Sequence, residues 1–165
     1  MDGYDDIQSA RAKPISKSEQ MAFATACLGG ERRWEGSVRG LFGLIQRRFS
    51  IHSLGVIREG ELCFSETICF DDGETQQREW RLVDAKGGLA VEGPDVEQIA
   101  PARLDNENAM TLIYKIKLGT FRFRYRDLFR LQEDGGVENI GYVSLGGIRV
   151  MTITAASSAD PAMAA

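Results

Sequence analysis

From Arg32 to Thr154 the chain reads in steps of two. Apolar and polar residues alternate over segment after segment, with turn residues between them. That period belongs to strands with one buried face, not to helices. Trp34, Gly36, Val38, Gly40 and Phe42 share one phase. Leu62, Phe64, Glu66, Ile68 and Phe70 share another. Phe49 and Ile51 are followed by Leu54 and Val56 in the opposite phase, which predicts a bulge near His52–Ser53.

Two hairpins can be read in register. At Asp71-Asp72-Gly73, a three-residue loop with Gly73 left-handed sets Phe64 opposite Trp80, Glu66 opposite Arg78 and Leu62 opposite Leu82. A two-residue loop would set Phe64 against Arg81 and Glu66 against Glu79. The buried face fixes register, so the three-residue loop is expected. At Gly119-Thr120, a II′ turn sets Leu118 against Phe121, Ile116 against Phe123 and Tyr114 against Tyr125. Shorter strands are expected at Leu89–Glu92, Ile99–Leu104, Val137–Ser144 and Ile148–Thr154. One helix is expected over Lys17–Leu28. Ser16 and Glu19 have capping-box spacing, Gly29-Gly30 stop the helix, and Met21, Phe23, Ala24 and Leu28 supply an apolar face. Many evenly spaced strands with little helix imply an up-and-down barrel or a sandwich. Residues 16–155 are expected to form this single domain, with flexible tails at 1–15 and 156–165.

Several segments resemble one bacterial family, a domain of unknown function described as lipocalin-like. The specific part is Glu66 with Phe70-Asp71-Asp72-Gly73-Glu74, followed by Arg78-Glu79-Trp80-Arg81-Leu82. Trp34-Glu35-Gly36, Arg47-Arg48-Phe49, Gly93, Asp95-Val96, Tyr114, Asp127 and Asn139 also match, so the likeness spans Leu28 to Thr154. The resemblance implies a mainly β fold, an antiparallel, calycin-type up-and-down barrel. It also implies an apolar small-molecule pocket and company with lipid-modifying enzymes. It brings no catalytic residues with it.

The candidate ligand-binding set is Trp34, Phe49, Phe64, Glu66, Arg78, Trp80, Tyr114, Phe123 and Tyr125. Such aromatics either line a pocket or fill the core, because a barrel of eight strands can do both. Gly36, Gly40 and Gly55 remove bulk and favour room inside. Glu66 and Arg78 face each other on the apolar side, as a polar anchor for a ligand or as an ion pair that fixes register. Asp127 interrupts the run Phe121, Phe123, Tyr125, Phe129. It is either an acid–base group of raised pKa or a carboxylate satisfied by backbone or arginine. If the chain is an enzyme, an isomerase, cyclase or hydrolase acting without cofactor, Asp127 and Glu66 are the candidates for acid and base.

Lys115, Lys117, Arg122, Arg124 and Arg126 form a basic outer stripe. It suits an anionic surface or an acidic protein, or it is a solvated face balanced by a flanking strand. The net charge of −4 argues against a dedicated nucleic-acid binder. His52 is the single histidine, which excludes His-rich metal sites. Asp71-Asp72-Gly73-Glu74 lacks the remaining ligands of a calcium loop and reads as a turn. No phosphate-cradling or dinucleotide sequence is present, so no cofactor is expected. Cys63 and Cys69 lie about 20 Å apart along one strand, too far to bridge. Free Cys27, Cys63 and Cys69, an acidic start without a signal peptide and no long apolar run together predict a cytoplasmic protein.

Overall fold

The computed structural model describes residues 15–106 and 108–158. Helix α1 spans Lys17–Leu28. Ten strands follow: β1 (Gly30–Arg39), β2 (Ile45–Arg58), β3 (Glu61–Phe70), β4 (Thr75–Ala85), β5 (Gly88–Glu92), β6 (Val96–Asn106), β7 (Ala109–Leu118), β8 (Phe121–Leu131), β9 (Val137–Leu145) and β10 (Ile148–Ser157). Each strand pairs antiparallel with its chain neighbour, and β1 pairs with β10 to close the barrel. The barrel alternative is therefore the correct one, and the sandwich is not.

Both hairpin registers are as expected. Phe64 faces Trp80, Glu66 faces Arg78 and Leu62 faces Leu82. Gly73 sits at φ +88° and donates its N–H to the Phe70 carbonyl. Leu118 faces Phe121 and Tyr114 faces Tyr125, with Gly119 at φ +61°. Ser16 and Glu19 form a complete capping box on α1. The buried face of α1 also includes Gln20 and Cys27.

The bulge at His52–Ser53 is absent. β2 keeps one phase against β3 from Phe49 to Arg58. Leu54 and Val56 face outward, 46% and 37% exposed, because Ser53 and Gly55 hold the inward positions. Ser53 is buried and its hydroxyl accepts from the Trp34 indole N–H at 2.9 Å. Gly55 lies under the end of α1, where a Cβ would stand 2.0 Å from the Leu28 carbonyl oxygen. The apolar residues were displaced outward by a buried hydrogen bond and a close backbone approach.

The glycines expected to open the interior are also accounted for by close contacts. The space beside Gly36 is filled by the Phe49 ring, and that beside Gly40 by the Gln46 side chain. At the far end, β10 remains paired through Ser157, which faces Trp34, so the barrel runs past residue 155. Of the two expected tails, residues 1–14 and 159–165 lie outside the described residues.

The two ends of the barrel differ. Helix α1 packs across one end, where Ala24, Cys27 and Leu28 are buried against Leu62, Leu82, Leu89, Met110 and Val137. The hairpin loops at 40–44, 71–74, 93–95, 119–120 and 146–147 lie at the other end, the mouth. The wall is complete except beside upper β4. Strand β5 pairs with β4 only from Arg81 onward, and with β6 only at Leu89–Ala102. Residues 75–80 thus have a strand partner on one side alone.

The approach of α1 to β2 leaves no room for a side chain at residue 55. Gly55→Val should destabilise the protein by about 3 kcal/mol, the upper end of the usual overpacking cost, because backbone has to move. Chemical denaturation measures this. An unchanged midpoint would contradict the packing described.

Candidate functional site

Alternation along β1, β2 and β3 turns Trp34, Phe49, Phe64 and Ile68 inward and buries them. They do not fill the barrel. A cavity of about 420 Å³ runs from Leu28 at the helix end to Phe70, Pro94, Val96 and Leu118 near the mouth. Its size falls within the usual range for small-molecule sites. Trp34, Phe49, Phe64, Glu66, Arg78, Trp80, Tyr114, Tyr125 and Asp127 all line it. Phe123 does not. It is half-buried near the rim, with its ring 6.3 Å from that of Phe121.

The aromatic walls are ordered by mutual packing. Phe64 and Trp80 have ring centroids 4.5 Å apart, and Tyr114 stacks on Tyr125 at 5.4 Å and 8°. Such pairs gain about 0.5–1.5 kcal/mol beyond their burial, which holds the rings in place beside an open space.

A polar cluster interrupts this apolar lining. The Tyr114 hydroxyl donates to Asp127 Oδ2 at 2.5 Å. Gly141, facing Asp127 on β9, makes the room: a Cβ there would lie 2.6 Å from Asp127 Oδ1. Burial raises the Asp127 carboxyl, while the bonds from Tyr114 and the Asn139 amide, and the charge of Arg78, pull it back. Tyr114 itself is held well above its ordinary value by burial and by the Asp127 charge. Asp127 is therefore a satisfied acid at the cavity wall.

Glu66 is different. It makes no hydrogen bond or ion pair with any described residue, and burial pushes its carboxyl up to about 7. Attraction to Arg78 opposes this rise, and repulsion from Asp127 adds to it. Of the two readings of Glu66 and Arg78, the ion pair is not formed, although the two residues face each other in register. Arg78 lies beside the incomplete wall, is exposed, and donates from Nη2 to Gln76 Oε1 at 3.1 Å. Water at the gap solvates the guanidinium, so it does not need the carboxylate. The cavity thus presents one carboxyl without a protein partner and one cation on the same strand pair.

Asn139, Leu112, Ile116 and Ile153 also line the cavity and were missed as site residues. Inward alternation on β9 through Val137, Asn139 and Gly141 was the available signal. His52 lies outside the cavity and is exposed, with Nε2 2.6 Å from Glu31 Oε1. Arg47 clamps the turn after β3. Its Nη2 lies 2.7 Å from both Asp72 and Glu74, and its guanidinium rests 3.6 Å from the Phe70 ring centroid. Two of the three acids of this turn are thereby tied to one arginine. No group of metal-ligating side chains occurs among the described residues. Cys27 is buried, Cys63 half-buried and Cys69 exposed, all as free thiols, and burial pushes Cys27 up to about 12.

Residues 6–158 match the family described as "Protein of unknown function (DUF3833)". The chain belongs to the DUF3833 family. That is in keeping with the resemblance read from the sequence. Among curated proteins none matches the DUF3833 chain in sequence. Two solved barrels are similar in shape. EF1p2_mFAP2b bound to DFHBI is 9% identical at a TM-score of 0.48, over 88% of this chain and 100% of that one. The redesigned β-barrel mFAP1 bound to DFHBI is 10% identical at 0.46, over 87% and 100%. No described helix of the DUF3833 chain is long and apolar enough to cross a membrane.

The raised Glu66 carboxyl links stability to pH. The folded state holds this proton more tightly than the unfolded state, so its contribution is fully present below the ordinary glutamate value of 4.5 and is lost as pH rises through about 7. Glu66→Gln should flatten the fall in unfolding midpoint between these values and be more stable than wild type at pH 8. Parallel pH profiles for the two proteins would contradict the assignment.

Proposed function

We propose that this protein binds an elongated, mainly apolar small molecule inside the barrel, with one polar end held at the Glu66–Arg78–Asp127 cluster. The observation that carries the reading is the cavity itself: aromatic and aliphatic over most of its wall, with Glu66, Arg78, Tyr114 and Asp127 as polar groups within it. A half-buried carboxyl without a protein partner gains from a ligand hydroxyl or carbonyl that hydrogen-bonds to it. Arg78 offers a cation to a carboxylate or phosphate reaching the gap beside β4. The lining favours a lipid-derived ligand, since its aromatic and aliphatic residues continue from Leu28 at the helix end to Leu118 at the mouth.

A second reading, cofactor-independent acid–base conversion of the bound molecule, is favoured by Glu66. A carboxyl with a pKa of about 7 is poised to give or take a proton near neutrality. In that case Glu66→Gln or Asp127→Asn would leave binding and stop conversion.

The binding reading is tested with cis-parinaric acid, a fluorescent polyene fatty acid. Wild type should enhance its fluorescence saturably at one molecule per chain. Ile116→Trp, which fills the cavity from β7, should abolish the signal. Arg78→Met should weaken binding about tenfold, the usual cost of losing one charge-assisted hydrogen bond. Equal binding by wild type and Ile116→Trp would place the probe outside the cavity and contradict the reading.

A further inference from the structure

The mouth carries a second pattern, which shares Leu118 with the cavity lining. Around the barrel the order β2, β1, β10, β9, β8, β7 sets three hairpin loops side by side: 40–44, 146–147 and 119–120. Their tips are apolar and uncovered. Phe42 is 89% exposed, Leu44 74% and Ile148 63%, and Leu41, Leu118 and Phe121 each exceed half. Burying such side chains is favourable, so six uncovered in one arc mark a contact surface.

A cation stands within two residues of each tip. Arg39 precedes Leu41, Arg149 follows Ile148, Lys117 precedes Leu118 and Arg122 follows Phe121. At about 3.3 Å per residue these charges lie a few ångströms behind the apolar tips. The three hairpin segments, 36–49, 115–126 and 139–154, contain no Asp or Glu. The chain as a whole carries a net charge of −4, so this concentration of cations is local. Glu97 on β6 stands opposite Lys115 in register and its Oε2 lies 3.6 Å from Arg122 Nη1, Arg39 donates to the Gly43 carbonyl, and Arg149 lies over the Tyr142 ring. Lys115, Lys117 and Arg124 form no ion pair with a described residue. Lys117 and Arg122 stand opposite each other, as do Lys115 and Arg124, and like charges so placed repel. The remaining acids of the rim belong to the opposite arc, where Arg47 pairs with Asp72 and Glu74.

We propose that the protein docks mouth-first on an anionic lipid bilayer, inserting the Leu41–Leu44, Leu118–Phe121 and Ile148 tips while Arg39, Lys117, Arg122 and Arg149 meet the lipid phosphates. Apolar tips ahead of a cation band match the depth order of an anionic membrane, acyl region behind headgroup charge. A folded acidic protein offers charge without an acyl layer, and a second copy meeting this arc with its own brings the same cations together. Docked this way, the cavity mouth opens against the source of lipid-derived ligands. That consequence rests on the binding reading above, whereas the docking itself rests on the rim alone.

Phosphatidylcholine vesicles with and without phosphatidylglycerol are the probe, with cosedimentation of the full chain as the readout. Binding is expected only to the phosphatidylglycerol vesicles, and should weaken as salt rises. Lys117→Glu with Arg122→Glu, and separately Phe42→Asp, should each weaken partitioning about tenfold or more. These positions are exposed, and unchanged unfolding midpoints confirm that each variant is folded. Phe42→Trp should give a tryptophan signal quenched by brominated acyl chains.

Absence of vesicle binding, or binding equal in Phe42→Asp and wild type, overturns the proposal. Self-association abolished by Phe42→Asp, without vesicle binding, overturns it in favour of a contact between copies. Retention on polyglutamate without vesicle binding overturns it in favour of an acidic protein. Parinaric acid occupancy is read in the same samples. Vesicle binding lost with occupancy kept removes docking alone, whereas occupancy lost with vesicle binding kept removes only the cavity reading.

Discussion

The pairing of β1 with β10 sets the size of everything inside it. Trp34 faces Ser157 and Val38 faces Ile153, so ten strands join edge to edge. Barrel diameter grows with strand number, and about eight strands enclose a space that side chains can just fill. Ten enclose more. The closure also needs Gly36, since a Cβ there would stand 2.3 Å from the Thr154 carbonyl oxygen and 2.5 Å from the Phe49 ring. Close contact at the seam and open space at the centre are therefore two results of the same strand count.

The helix and the short fifth strand make the two ends and the two sides unequal. Helix α1 spends its apolar face, Phe23, Ala24, Cys27 and Leu28, on closing one end. Strand β5, only five residues long, leaves upper β4 unpaired on one side. Arg78 stays wet at that gap while Glu66, one strand away, is half-buried without a hydrogen-bond partner. The polar character of the cavity follows from this asymmetry.

Elements fixed by neighbours in the chain were legible in the sequence, and elements fixed by distant contacts were not. The β3–β4 register followed from Phe64, Glu66, Arg78 and Trp80, because only one loop length puts like with like. The capping box of α1 needed only Ser16 and Glu19. The phase of β2 was misread because apolar Leu54 and Val56 suggested an inward face. The true reasons, Trp34 bonded to Ser53 and Leu28 lying over Gly55, involve residues 19 and 27 positions away. Aromatic residues for the site were visible as an alternating set, but the same set could have filled a core. Whether Glu66 and Arg78 would touch depended on the gap beside β4, which no local pattern announces.

The central claim is that the barrel interior holds a ligand. Native mass spectrometry of the protein purified from its own host, followed by solvent extraction, tests it most directly. The account predicts one apolar molecule with a single polar end per chain, released on unfolding. A bare chain mass, together with a crystal structure whose interior has collapsed around Phe64, Trp80 and Tyr114, would contradict it.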